Sequence, residues 1–237
     1  MHFNGDNRLK RGAVRAVFLD FYGTVVQEDD ETVSWICSEI KKTASGPCTV
    51  SEIGNYWWKI FSDMCRNCFG ARVITQRELG MQSLTETIRH FKSALEAETV
   101  IRRQYEHWTK PGLFEDSKPF LNRIDLPVYL LSNIDSADIA AALNFHEIEV
   151  HGVLTSEDVR AYKPRPELFR EALGRYGYRP EEVLHIGDSL TSDVLGAQGA
   201  GIKTVWLNRK GKLKPDSIKP EHVCCHLLEV LKLVSQV

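Results

Sequence analysis

An α/β fold built on a parallel sheet is predicted by three features of the chain. Apolar runs at 13–19, 128–131 and 183–186 each end on polar residues, segments of helical period lie between the later runs, and a long aromatic-rich helical stretch follows the first. Short apolar runs bounded by polar residues and glycine read as buried strands. Strands alternating with helices call for parallel pairing with right-handed crossovers. In such sheets ligands gather at the carboxyl ends of the strands, which is where Asp20, Ser132-Asn133 and Gly187-Asp188 stand.

The remaining elements follow from the same patterns. Residues 151–155 form a further short strand and 203–207 another, with a helix at 192–198 between the third run and the latter. In 167–176, Leu168, Phe169, Ala172, Leu173 and Tyr176 fall on one helical face. From about residue 31 to 108 the character changes to polar-apolar segments of helical period with no convincing strand. Helices are expected at 31–43, 50–68, 76–91 and 96–108, forming a small bundle inserted after the first strand. Most of its aromatics should be core, and Arg66, Arg72 and Trp57 or Trp58 are the candidates for substrate contact.

A chain of 237 residues has room for two compact units. Its net charge of -2 gives no reason to expect nucleic acid as a partner. No apolar run approaches the roughly 20 residues needed to cross a bilayer, and the polar, basic start at 1–12 lacks an apolar signal core, so a cytoplasmic location without membrane association is expected. The cysteines Cys37, Cys48, Cys65, Cys68, Cys224 and Cys225 form no regular framework and read as reduced thiols.

The residue types at the strand ends suit attack on phosphorus. A carboxylate can form an acyl phosphate that water later cleaves, but two anions repel, so cations and donors must surround the phosphoryl oxygens. Mg²⁺ would supply most of that charge, held by Asp20 and Asp188. Lys163 would neutralise Asp20 and the transferring group, while the Ser132 hydroxyl and backbone N–H groups near Phe21 and Asn133 would bind phosphoryl oxygens. Asp193 could order metal-bound water or pair with Lys163, and His185, inside a strand, reads as a packed core histidine.

The ordered set Asp20-Phe21-Tyr22-Gly23-Thr24, Ser132-Asn133, Lys163-Pro164-Arg165-Pro166 and Gly187-Asp188-Ser189 with Asp193 resembles the haloacid dehalogenase superfamily of hydrolases. The resemblance runs from about residue 14 to the C-terminus. It implies a Rossmann-like catalytic core over 1–28 and 112–237 with an α-helical cap domain over 29–111, and it makes the Tyr22 carbonyl a third protein ligand of Mg²⁺. The chain departs from the family's phosphatases at Tyr22, where most of them carry a second Asp that protonates the leaving group. General acid help of that kind is worth on the order of 10² to 10⁴ in rate.

Tyr at this position also resembles the true 2-haloacid dehalogenases, in which the Asp displaces halide without metal. Against that reading stands Asp188, because a carboxylate there would repel an anionic haloacid unless a cation offset it. A phosphatase acting on a small phosphorylated metabolite is therefore the expected function, a metal-independent dehalogenase the first alternative, and a non-catalytic phospho-ligand binder the second.

Overall fold

A computed structural model of the chain describes residues 14–234. The polar start at 1–12, the first residue of the 13–19 run, and residues 235–237 of the expected core lie outside them. Six strands, β1 (Ala16–Leu19), β2 (Val128–Ser132), β3 (Gly152–Thr155), β4 (Val183–Gly187), β5 (Lys203–Leu207) and β6 (His222–Cys224), form one parallel sheet in the order β3-β2-β1-β4-β5-β6. The strand order reverses between β1 and β4, and Asp20 and Asp188 lie just past the ends of those neighbouring strands. The fold is thus the Rossmann-like α/β arrangement expected.

β1 is shorter than the predicted 13–19 run, and its residues are buried on both faces, as a central parallel strand requires. Val17 and Leu19 enter one apolar layer with Phe120, Leu130, Leu184 and Val205, while Ala16 and Phe18 enter the other with Leu154, Leu168, Phe169 and Ala172. This alternation sets the register: Leu19 pairs with Leu130 on one side and Ile186 on the other, so the polar residues that follow the three strands come level with one another.

Four helices fill the interval between β1 and β2: α1 (Asp30–Thr43), α2 (Val50–Asn67), α3 (Gln76–His90) and α4 (Ala97–Thr109). Capping boxes fix two of their starts, Thr49 with Glu52 on α2 and Thr75 with Glu78 on α3. The bundle has its own core of Ile36, Ile40, Ile53, Leu84, Val100 and Ile101. It enters and leaves through two paired segments, where Val26 bridges Leu113 and the Gln27 N–H donates to the Gly112 carbonyl at 2.7 Å.

After β2 the chain adds α6 (Ser136–His146), following a short α5 (Ser117–Leu121) that precedes the strand. α6 carries Asp135 at its start, whose carboxylate accepts the Gln76 and Arg77 N–H groups of α3 at 2.6 and 3.0 Å. Asp138 receives the Arg77 guanidinium in a fork at 2.8 and 2.5 Å. These bonds tie bundle to sheet. Short α7 (Ser156–Val159) and α8 (Glu167–Tyr176) follow β3. The helix expected at 192–198 begins earlier, as a π-helical turn over Leu190–Leu195, and only Gly196–Gln198 (α9) is α-helical. β6 and the closing α10 (Leu227–Val234) complete the sheet edge, and no described helix is long and apolar enough to cross a membrane.

Phe18 lies at the centre of the sheet with no exposed surface, edge-on to Tyr129 at 6.1 Å. Phe18→Ala is expected to lower unfolding stability by about 3–5 kcal/mol, read from urea melts. Trp58, 69% exposed, should tolerate alanine with a change below about 0.5 kcal/mol.

Candidate active site

The turn after β1 is shaped by Gly23, which takes φ +81 and whose N–H donates to the Val26 carbonyl at 2.7 Å. A Cβ added there would stand 2.7 Å from the Asp188 carboxyl carbon, so glycine is required both for the turn and for the approach of Asp188. Asp20, 6% exposed, accepts Lys163 Nζ on Oδ1 at 2.7 Å and the Thr24 hydroxyl on Oδ2 at 3.1 Å.

Lys163 is the hub. Its buried ammonium donates to Asp20 Oδ1, to Asp193 Oδ1 and to the Leu131 carbonyl at 2.7, 2.7 and 2.8 Å. Three acceptors use all three of its protons. Asn133 clamps the Lys163 backbone, accepting its N–H at 2.7 Å and donating to its carbonyl at 3.2 Å. The Asn133 side chain therefore positions the lysine, a part that sequence reasoning had not given it.

Asp193 is saturated: Oδ1 also receives His185 Nε2 at 3.1 Å, and Oδ2 receives the Ser189 N–H at 3.0 Å. Of the two alternatives for Asp193, pairing with Lys163 is the one the geometry holds. His185 is fully buried and packs edge-on against Phe169 at 5.0 Å, a core histidine that also braces Asp193. Gly187 makes room for this brace, since a Cβ there would meet the Asp193 carboxyl carbon at 2.2 Å.

Single oxygens of Asp20, Asp188 and Asp193 lie within 4.8 Å of one another. Burial acts against every charge here. It would raise Asp193, but the Lys163 ammonium and His185 hold that carboxyl well below its usual range. Burial likewise opposes the Lys163 charge, which Asp193 and Asp20 sustain, so its pKa stays raised. Asp20 is raised by burial and then by Asp193, against the pull of Lys163. Asp188 is lifted to about 8 by burial and by the charges of Glu28, Asp193 and Asp20, with Lys212 the opposing cation at 3.5 Å. The acids thus carry more negative charge than the neighbouring lysines balance, and all their donors are oxygens. That is the environment a hard divalent cation suits.

The carboxyl ends of the strands open into a cavity of about 420 Å³ between sheet and bundle, lined by Asp20, Tyr22, Ser132, Asn133, Lys163, Asp188 and Asp193 together with bundle residues. Phe21 is not among the lining residues. Its side chain is fully buried in the core. Ser132 is buried, its hydroxyl accepting the Ile134 N–H at 3.4 Å. The Tyr22 hydroxyl donates to the Trp108 carbonyl, and burial, then the charges of Asp138 and Asp29, raise its pKa. It is poorly placed to give up a proton at neutral pH.

Among the bundle candidates, Trp57 and Trp58 line the cavity, and Arg66 and Arg72 do not. Gly54, Trp57, Trp58 and Phe61 recur at helical spacing on one face of α2. Arg66 falls off that face and pairs with Asp63 at 2.5 Å in solvent, while Arg72 sits over the Phe69 ring at 5.3 Å. Sequence reasoning missed Asp29, Gln104 and Lys212. Gln104 had a signal, being the polar member of the otherwise apolar stripe Val100, Ile101, Gln104, Trp108. Lys212 lies in a loop with no regular pattern.

The raised carboxyls make a stability statement for the cation-free protein. Unfolded carboxyls titrate near 4, so between that pH and about 8 the folded state holds more protons, and stability falls as pH rises through the folded pKa of Asp188. The melting temperature without divalent cations should drop from pH 5 to pH 9, and Mg²⁺ should restore it most at the alkaline end. In Asp188→Asn both the slope and the Mg²⁺ response should shrink.

Residues 14–201 match the family described as haloacid dehalogenase-like hydrolase. Glyceraldehyde 3-phosphate phosphatase of Methanopyrus kandleri is 45% identical over 62 residues, which is 26% of each chain. The chain aligns with only 26 to 40% of the length of the first three such relatives. N-acylneuraminate-9-phosphatase of Mus musculus is 23% identical over 94% of this chain and 95% of its own. In fold, the L-2-haloacid dehalogenase of Xanthobacter autotrophicus superposes with a TM-score of 0.74 at 17% identity, over 94% of this chain and 99% of that one. With the family match spanning most of its length and the sheet, turn and acid cluster in place, this chain belongs to the haloacid dehalogenase-like hydrolases.

Proposed function

We propose that the protein is a Mg²⁺-dependent phosphatase of small phosphorylated metabolites that works through an aspartyl-phosphate. The observation that carries this reading is Asp188 beside Asp20, an acid placed where its burial is unfavourable unless a cation joins it. Phosphatase names among the relatives support it. Asp20, Asp188 and the Tyr22 carbonyl would hold the ion, which when bound would offset the phosphoryl charge and keep both carboxyls ionised.

Asp20 Oδ attacks phosphorus, the ester P–O bond breaks, and the leaving oxygen takes a proton from solvent water. Water then cleaves the acyl phosphate and restores the carboxylate. Lys163 holds Asp20 in line and offers positive charge to the transferring group, while Asp193 and Asn133 fix the lysine. The Ser132 hydroxyl and the N–H groups of Phe21 and Asn133 donate to phosphoryl oxygens. With Tyr22 engaged by Trp108 and Asp193 saturated, neither protonates the leaving oxygen, so esters of acidic alcohols and phenols should turn over fastest.

The dehalogenase reading rests on Tyr22, and the two part on metal and product. Hydrolysis of an aryl phosphate should require Mg²⁺ and fall by about 10⁴-fold or more in Asp20→Asn. No halide should leave 2-chloropropionate. Halide release in the presence of a chelator, with no phosphate released from the ester, would reverse the assignment.

A further inference from the structure

The bundle half of the cavity differs chemically from the sheet half. Gly54 of α2 and Gly80 of α3 both line it from helix interiors. A Cβ at Gly80 would meet only ordinary neighbours, Trp108 at 3.4 Å, Gln104 Oε1 at 3.8 Å and Ile101 at 3.9 Å, and one at Gly54 would meet only Cys37 at 3.8 Å. Packing therefore does not demand glycine at either place, although glycine is a poorer helix former than alanine. What the missing methyl of Gly80 leaves is space beside Gln104 Oε1.

Gln104 is 7% exposed, and its orientation is fixed by the bond from Nε2 to Asp29 Oδ2 at 2.8 Å. Its Oε1 is buried without a hydrogen-bond partner. Trp108 Nε1 donates to the same Asp29 oxygen at 3.0 Å, so among the described residues Asp29 receives only neutral donors. Gln104 Oε1 and the Asp29 carboxylate present acceptors on this side, and Trp57 and Trp58 supply flat apolar walls. Among the described residues no arginine lines the cavity, and its lysines, Lys163 and Lys212, stand by Asp20 and Asp188. A buried acceptor left unpaired is unfavourable until something donates to it.

We infer that this half is the leaving-group pocket, selecting a ring-bearing alcohol or phenol that offers an O–H or N–H donor to Gln104 and carries no carboxylate or second phosphate. The inference rests on the phosphatase reading and names its substrate class. The test measures kcat/KM with Mg²⁺ for phenyl, 4-(hydroxymethyl)phenyl and 4-carboxyphenyl phosphate, with acetyl phosphate as the small comparison. The hydroxymethyl ester should exceed the phenyl ester by about fivefold to tenfold, the size of one neutral hydrogen bond, and the carboxylate should rank last. Gln104→Met should erase the hydroxymethyl advantage. Gly80→Ala, with an unfolding midpoint no lower than the parent's, should reduce the ratio of ring esters to acetyl phosphate several-fold.

A flat order among the aryl esters, or an order that survives Gln104→Met, overturns the pocket assignment and leaves the phosphatase reading standing. Absence of turnover for every ester removes the phosphatase reading instead. Calorimetric titration of the three aryl esters into Asp20→Asn then judges the pocket by itself. Tighter binding of the hydroxymethyl ester supports it, and equal binding or preference for the carboxylate refutes it.

Discussion

The site is organised by one buried ammonium. Lys163 sits between Asp20 and Asp193 with its third proton on the Leu131 carbonyl, so the ends of β1 and β2 and the π-helical turn after β4 converge on a single charge. Burying any one of these groups alone would be prohibitive, and breaking such a pair typically costs about 3–5 kcal/mol. The arrangement persists because each charge is both paired and hydrogen-bonded. Asn133 on the lysine backbone and His185 on Asp193 remove the slack that would let a partner swing into solvent.

Around that charge the acids divide by availability. Asp193 has every oxygen engaged and serves as the lysine's counter-ion. Among the described residues Asp188 is held by one distant, half-exposed lysine and by no backbone donor, and burial leaves its charge poorly compensated. The carboxylate with the least support stands beside the proposed nucleophile, and there a cation has most to gain. The two halves of the cavity differ in the same way: the lysines stand on the sheet side, and Gln104, Asp29 and aromatic faces on the bundle side.

Much of this was legible in the sequence because it is local. Asp20, Ser132 and Asp188 announce themselves by following apolar runs. The bundle helices could be read from their periodicity and capping residues. Relations between distant segments could not. Nothing in the pattern near Asn133 says that its amide grips Lys163 from 30 residues away, and nothing near Asp135 says that it caps α3. β6 is too short and too mixed to stand out, and Arg66 was misjudged because composition carries no helical phase.

The bond from the Tyr22 hydroxyl to the Trp108 carbonyl joins the loop bearing Asp20 to the last turn of α4. Swinging the bundle aside to admit a large ligand would pull on this tether or sever it, and the tether's other end lies two residues from Asp20, the proposed nucleophile. On the proposed mechanism, admission to the chamber and the aim of Asp20 would therefore share one mechanical link through Tyr22.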